Sequence, residues 1–187
     1  MSAAIGMVEV EGVAGIIVAA DVACKAAEVD LLGWESIGGF TTVFFSGSIG
    51  AVTSSLKSAQ VAASEIVDHV VAAPLTQPED ICRDYISFPI DANASAPSGA
   101  LGLLETRGYG AHVTTNDEMV KAAQVEVFNV LTVHNRVVCS MILGEVSAVR
   151  SALDVGKELV NGNDYFMCAT LITQPLPEVF RAFGPRA

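Results

Sequence analysis

The sequence predicts an α+β fold built twice: two tandem copies of a small domain, each an antiparallel-type sheet with helices covering one face. Three observations predict it. The chain repeats itself at long period, each repeat passes through the same succession of strand-like and helix-like patterns, and a Pro- and Gly-punctuated polar stretch separates the copies. A period near half of 187 residues is too long for a solenoid and reads as a duplicated domain.

The elements follow in order. Ala4 to Glu9 opens the first copy as a strand and returns as Ala100 to Glu105, with Gly12 returning as Gly108. Asp21, Lys25, Ala26, Ala27 and Val29 come back in register as Asp117, Lys121, Ala122, Ala123 and Val125, which marks the first helix and the entry to the second strand. One residue is gained between Gly39 and Val137; after it Gly47, Ala51, Val52, Ser54 and Thr76-Gln77-Pro78 match Gly144, Ala148, Val149, Ser151 and Thr173-Gln174-Pro175. Thr41 to Ser46 and Val137 to Leu143 are rich in β-branched, aromatic and other apolar residues, as strands covered on both faces are. After the N-cap candidate Ser48, the residues Ile49, Val52, Leu56, Ala59 and Ala63 keep helical spacing, and Val146, Val149, Leu153, Gly156 and Val160 do the same. Each copy therefore reads strand, helix, strand, strand, helix, strand and a short tail helix. The domains are expected at 1–82 and 99–187, with 83–98 as linker; Asp91 to Gly99 is small, polar and broken by Pro and Gly.

Composition narrows the partners. Hydrophobic residues make up 51% of the chain and aromatics 6%, so the core rests on Ala, Val, Ile, Leu and Gly, which suit thin sheets and close helix packing. A formal charge of −11 would be repelled by a nucleic-acid backbone or an anionic membrane, so neither is expected as a partner. The opening residues lack the charged and apolar regions of a signal peptide, which predicts a cytoplasmic protein. The uncharged run from Ser36 to Leu56 is nominally long enough to span a bilayer, but its Gly, Ser and Thr content and shifting periodicity read as loop, strand, turn and helix. Cys24, Cys82, Cys139 and Cys168 are scattered without metal or disulfide spacing and are expected as reduced, mostly buried thiols.

The opening Ala-Ile-Gly-Met-Val-Glu, the Asp21…Lys25-Ala-Ala stretch, the Ser36-Ile37-Gly38-Gly39 loop and the Gly47 to Val52 strand-to-helix turn together resemble the bacterial microcompartment shell domain. Each copy carries most of these features in the same order. The resemblance implies a fold in which tandem members form homotrimers, six domains around a pseudo-sixfold axis. Such rings tile edge to edge with other shell proteins of the same compartment, and small metabolites cross through a central pore. The element order resembles the unpermuted tandem type.

The resemblance also implies residue roles. Lys25 and Lys121 fall at the ring edge, with Gln77, Pro78, Gln174 and Pro175 in the loop that completes the contact, where the family often carries Arg. A helix-borne Lys is otherwise a solvated side chain over apolar surface. Ser36, Ile37, Gly38 and Gly39 fall on the pore, as do Val133, His134, Asn135 and Arg136, a bulkier loop longer by one residue. Three copies of Arg136 and His134 near one axis would favour anionic metabolites, with part of the charge pH dependent through His134. The other placement of Arg136 is outward, paired with a surface carboxylate. Some tandem shell proteins hold an iron–sulfur cluster through a pore-loop cysteine; Gly38, Gly39, His134 and Asn135 stand where that ligand would be, so no cofactor and no metal are expected.

No phosphate-binding loop, paired-histidine motif or nucleophile elbow occurs. His69 and His112 read as capped or surface residues, Glu9 and Glu105 as repeat-related structural hydrogen-bonding groups, and Trp34 as core. A trimeric small-ligand sensor with clefts between domains, or an enzyme using Glu9, Glu105 or His134, are the competing classes. Neither accounts for the lysine, glycine-loop and Gln-Pro features in both copies, so no catalytic residue is assigned.

Overall fold

A computed structural model describes residues 3–185. The first unit runs β1 (Ala4–Glu11), α1 (Ala14–Ala26), β2 (Val29–Ile37), β3 (Phe40–Gly47), α2 (Ile49–Ser64), β4 (Val70–Leu75) and α3 (Asp80–Asp84). The second repeats it as β5 (Ala100–Arg107), α4 (Tyr109–Ala122), β6 (Val125–Val133), β7 (Val137–Gly144), α5 (Val146–Val160), β8 (Phe166–Ile172) and α6 (Pro177–Phe183). The strand, helix, strand, strand, helix, strand, tail-helix order expected from the repeat is present in both.

Each unit holds one antiparallel four-stranded sheet, ordered β2-β3-β1-β4 and β6-β7-β5-β8. Equivalence extends to irregularities: the outer strand slips between Leu31 and Gly33 in one sheet and between Val127 and Asn129 in the other. Ser48 caps α2 through a bond from Ala51 N at 3.2 Å, satisfying one of the donors that a helix start leaves free. Val52, Leu56, Ala59 and Ala63 of α2, and Val149, Leu153, Gly156 and Val160 of α5, are buried as the spacing requires. Ile49 and Val146, in the first turns, remain exposed.

The two sheets are covered differently. Strand β7 is buried along nearly its whole length, on both faces, whereas β3 alternates between buried and partly exposed positions. The second sheet has α4 and α5 on one face and α1 and α6 against the other, and one hydrophobic cluster runs through Val13, Ile17 and Ala20 of the first unit into Leu103, Met141 and Phe180 of the second. The first sheet has its own α1 and α2 on one face, while linker residues reach its other face only in part, Phe88 stacking on Phe44 with ring centroids 5.3 Å apart. Double coverage of β3, expected from its composition, is thus absent within a single chain. Among the described residues no helix is long and apolar enough to cross a membrane.

Gly6 and Gly102 sit on the central strands where α2 and α5 press close. A Cβ on Gly102 would lie 2.6 Å from Val149 Cγ1 and 2.7 Å from Ile142 Cγ1, and one on Gly6 would overlap the Phe45 ring. Substituting Gly102→Val is expected to cost about 1–3 kcal/mol through overpacking. Gly50→Ala, in open space at the start of α2, should leave stability unchanged or raised. Equal melting temperatures for the two variants would contradict this packing.

Candidate functional site

The β2–β3 and β6–β7 hairpin tips lie side by side. In the first, Gly38 and Gly39 take φ of 62° and 94°, the left-handed pair that a two-residue turn between twisted strands demands. In the second, His134, Asn135 and Arg136 fill the gap between the paired residues Val133 and Val137, and Asn135 and Arg136 adopt φ of 65° and 66°. Asn tolerates that region; Arg is strained there, so the surrounding bonds must hold it. One such bond is Gly108 N to Arg136 O at 2.8 Å, the counterpart of Gly12 N to Gly39 O, also 2.8 Å. A Cβ on Gly39 would stand 3.0 Å from Asn135 Cβ and 3.2 Å from His134 O. Ile37, Gly38, His134, Asn135 and Arg136 are exposed, Ser36 and Val133 half-buried, and Gly39 is shielded by the neighbouring tip. A cleft of about 360 Å³ runs between Trp34, Glu35, Ser36, Thr132, Val133 and His134. Among the described residues Arg136 forms no ion pair, whereas Arg107 reaches Glu11, its own repeat equivalent, at 3.0 Å.

At the far end of α1, Lys25 pairs with Asp21 and donates to Gln174 O at 2.6 Å, across from the other unit. The buried Asp21 carboxylate also accepts from Leu176 N at 2.9 Å. Lys121 pairs with Asp117 and Glu118 of its own helix, and these bonds raise its pKa, Asp117 first. Gln77 and Gln174 are exposed, Pro78 buried and Pro175 half-buried. The fold thus brings Lys25 to the Gln174-Pro175 loop; Lys121 and Gln77 have no such meeting within one chain.

Between the units lies a structural hydrogen-bonding group whose partners the sequence did not specify. Glu105, on β5, accepts from Val13 N at 2.6 Å and Ala14 N at 3.2 Å, capping α1 of the other unit. Its second oxygen faces Cys168 Sγ at 3.7 Å. Desolvation pushes its pKa up to about 7, against the opposing pull of the two backbone bonds. Gly12 leaves room for it, since a Cβ there would collide with the carboxylate. Its repeat equivalent Glu9 is only half-buried and accepts from Thr42 Oγ1 at 2.8 Å. Trp34 belongs to the same seam, donating to Ala182 O at 3.0 Å and stacking on Phe183.

His112 corrects its expected surface position. It is buried beneath the second sheet, with Nδ1 2.7 Å from Thr106 Oγ1 and Nε2 2.7 Å from Ser140 Oγ, which in turn donates to Asn116 Oδ1 at 2.8 Å. The repeat equivalents are Val10, Ile16, Val43 and Ala20. Four apolar positions turned polar together are the signal that would have revealed this network. Burial lowers the His112 pKa to about 4. His69 is exposed. Cys139 and Cys168 are buried and Cys24 and Cys82 half-buried, all free. Among the described residues no three His, Cys, Asp or Glu side chains are arranged to hold a metal.

The family model for the BMC domain matches residues 4–74 and again 100–175. The chain belongs to the BMC domain family. Its two BMC domains stand in tandem, each match covering one sheet with its two long helices. The carboxysome assembly protein CcmO of Synechococcus elongatus is 24% identical over 184 residues, spanning 94% of this chain and 67% of that protein. The bacterial microcompartment shell protein PduA of Citrobacter freundii is 39% identical over 89 residues, 45% of this chain and 96% of its own length. A crystal structure of EutL from Clostridium perfringens shares the fold, with a TM-score of 0.62 at 20% identity over 83% of this chain and 78% of that one.

The seam between the two BMC domains carries a pH signature. Glu105 binds its proton more tightly folded, near 7, than unfolded, near 4.5, so its contribution is full below pH 4.5 and is lost as pH rises to 7, on the order of 3 kcal/mol in all. His112, with its folded pKa below the unfolded 6.5, acts oppositely: stability falls as pH drops from 6.5 towards 4. Glu105→Gln is therefore expected to gain on wild type as pH rises from 5 to 8, read by denaturant titration at each pH; a constant difference would contradict it. Glu105→Ala, which strands two N–H groups, should cost about 3 kcal/mol.

Proposed function

We propose that this chain is a structural shell protein of a bacterial microcompartment, a homotrimer whose rings tile edge to edge around a central pore for small anionic metabolites. The supporting observation is that equivalent residues of the two domains touch at the hairpin tips. When domains are related by a sixfold step, any residue lies as far from the axis as from its equivalent next door. Gly39 against Asn135, and Glu11 paired to Arg107, are therefore the parts nearest the axis. Residues at the opposite end of α1, among them Lys25, belong to the periphery. The same reading takes the domains as 1–82 and 99–187 with 83–98 as linker, α3 running from the first domain into that linker.

The pore reading assigns Ser36 to Gly39 and Val133 to Arg136 to its rim. Arg136, held with its backbone strained and its guanidinium free of any described carboxylate, puts a fixed positive charge at three places on an otherwise acidic ring. Such a constriction admits anions and repels cations. Tiling rests on Lys25, Lys121 and the Gln-Pro loops, alongside other shell proteins of the compartment. No enzymatic role is supported: among the described residues the one Ser–His contact, Ser140 to His112, is sealed from any substrate. A ligand sensor draws no support from the relatives.

Two outcomes test this. The double substitution Lys25→Asp, Lys121→Asp should leave ring particles intact while abolishing extended sheets under negative-stain microscopy; sheets of normal size would contradict the edge assignment. Arg136→Ala should lower the flux of a small dianion through assembled shells severalfold relative to a monovalent cation. An unchanged ratio would remove Arg136 from the pore.

A further inference from the structure

The turn that joins α5 to β8 is built unlike its counterpart in the first domain. There, Glu65 keeps helical dihedrals one residue beyond α2, and Ile66 N and Val67 N both close on Ala63 O at 3.1 Å. In the second domain Asn161, the repeat equivalent of Ser64, ends α5 with its backbone already extended, at φ −68° and ψ 141°. Gly162 follows in the left-handed region at φ 80°. A Cβ on Gly162 would meet nothing within 4 Å, and every residue from Asn161 to Tyr165 is exposed. Asn161 is the only asparagine of the chain that precedes a glycine.

We infer that Asn161 is a site of spontaneous covalent modification, converted to a mixture of aspartate and isoaspartate through a cyclic imide closed by Gly162 N. The Gly162 amide gives its proton to base and its nitrogen bonds to Asn161 Cγ. The Cγ–Nδ2 bond breaks, and the amide nitrogen takes up a proton from water and leaves as ammonia. Water then opens the imide. Cleavage of the ring N–Cγ bond yields aspartate, and cleavage of the bond from that nitrogen to the Asn161 main-chain carbonyl yields isoaspartate, with the chain rerouted through Cβ and Cγ. Water is the only co-reactant, and nothing is oxidised or reduced. Glycine favours the closure because no side chain obstructs the approach to Cγ and its peptide group turns freely.

The neighbouring asparagines show why the reaction selects this one. Two residues on, Asn163 Oδ1 accepts from Tyr165 N at 2.8 Å, which pins that side chain in a local turn, and the next residue is Asp164, whose charge opposes formation of an anionic nitrogen. Asn116 Oδ1 is held by Ser140 Oγ at 2.8 Å, and Asn129 Nδ2 by Phe183 O at 2.8 Å. Assembly does not shield Asn161 either: its equivalent Ser64 and the following Glu65 stay exposed beside the filled contact within the chain, so in the trimer reading the turn stays open to water.

The product disturbs the start of β8. A new carboxylate at 161 stands at the C-terminal end of α5, where the helix dipole disfavours negative charge, with Glu158 and Asp164 close in sequence. Isoaspartate also lengthens the main chain of a turn that leads into Tyr165, whose carbonyl accepts from Arg107 N at 2.7 Å. Arg107 is the residue that pairs with Glu11 across the two domains.

Storage of the purified full chain in mildly alkaline buffer tests this, read by isoelectric focusing, by peptide mapping that separates aspartate from isoaspartate, and against the same protein held unfolded in denaturant. A more acidic form is expected to accumulate, with isoaspartate exceeding aspartate at 161 and conversion there severalfold that at 163. Asn161→Gln should abolish most of the acidic form, and Gly162→Ala should slow it severalfold. Stored wild type should melt below fresh protein, whereas Asn161→Gln should not change. Conversion at 161 in the unfolded chain but not in the folded one overturns the inference, as does aspartate formed at 161 without isoaspartate. An equal fall in melting temperature for wild type and Asn161→Gln overturns the effect on β8.

Discussion

The carboxylate of Glu105 fixes how the two domains sit, because a buried acid has few acceptable surroundings. Stripped of water, it is tolerable only where donors meet it, and the donors are the first N–H groups of α1, which no other side chain satisfies. Helix start and carboxylate each carry an unmet need that only the other can fill, and the contact permits little sliding. Around it the apolar surfaces of α1, β5, β7, β8 and α6 join into one core, supplying the area term that a polar contact alone would not. The capping bond sets register while the apolar cluster provides most of the driving force.

The hairpin tips and the end of α1 at Lys25 are positioned by that seam. With α1 laid on the second sheet, the two hairpin tips are carried to the same place, and Lys25 to the Gln174 loop at the other end. The hairpin tips and the Lys25–Gln174 contact are thus the two ends of one domain contact. A mutation that tilts the seam would move both, so loss of tiling and altered passage in a seam variant would not imply that the altered residue touches either site.

Most of the fold could be read from the sequence because it is local and repeated. Strands, helices and the Ser48 cap follow from spacing and propensity, and duplication checks every assignment twice. The one-residue insertion and the bulkier second tip were equally visible. Contacts between the copies were not, since nothing in the local pattern of β5 says that Glu105 will meet Val13, ninety-two positions away. His112 was misplaced for a related reason: taken singly a helical His suggests surface, and only its comparison with Ile16, together with Thr106, Ser140 and Asn116 against Val10, Val43 and Ala20, shows a buried polar set. Double coverage of β3 was expected from an apolar strand, and within one chain its outward positions are covered only in part.

Duplication changes what a ring of such domains can be. In a ring of identical single domains every seam has the same strength and every pore position repeats six times. Fusing two domains makes alternate seams intramolecular, held at an effective concentration that dilution cannot lower. Selection on the remaining seams of such a ring can then tune assembly without risking the fold. The same break in symmetry frees the second hairpin to lengthen and to carry His134 and Arg136 while the first keeps Gly38 and Gly39. Three arginines can converge where six would crowd and repel, so a strongly charged yet open constriction is easier to reach in a duplicated chain.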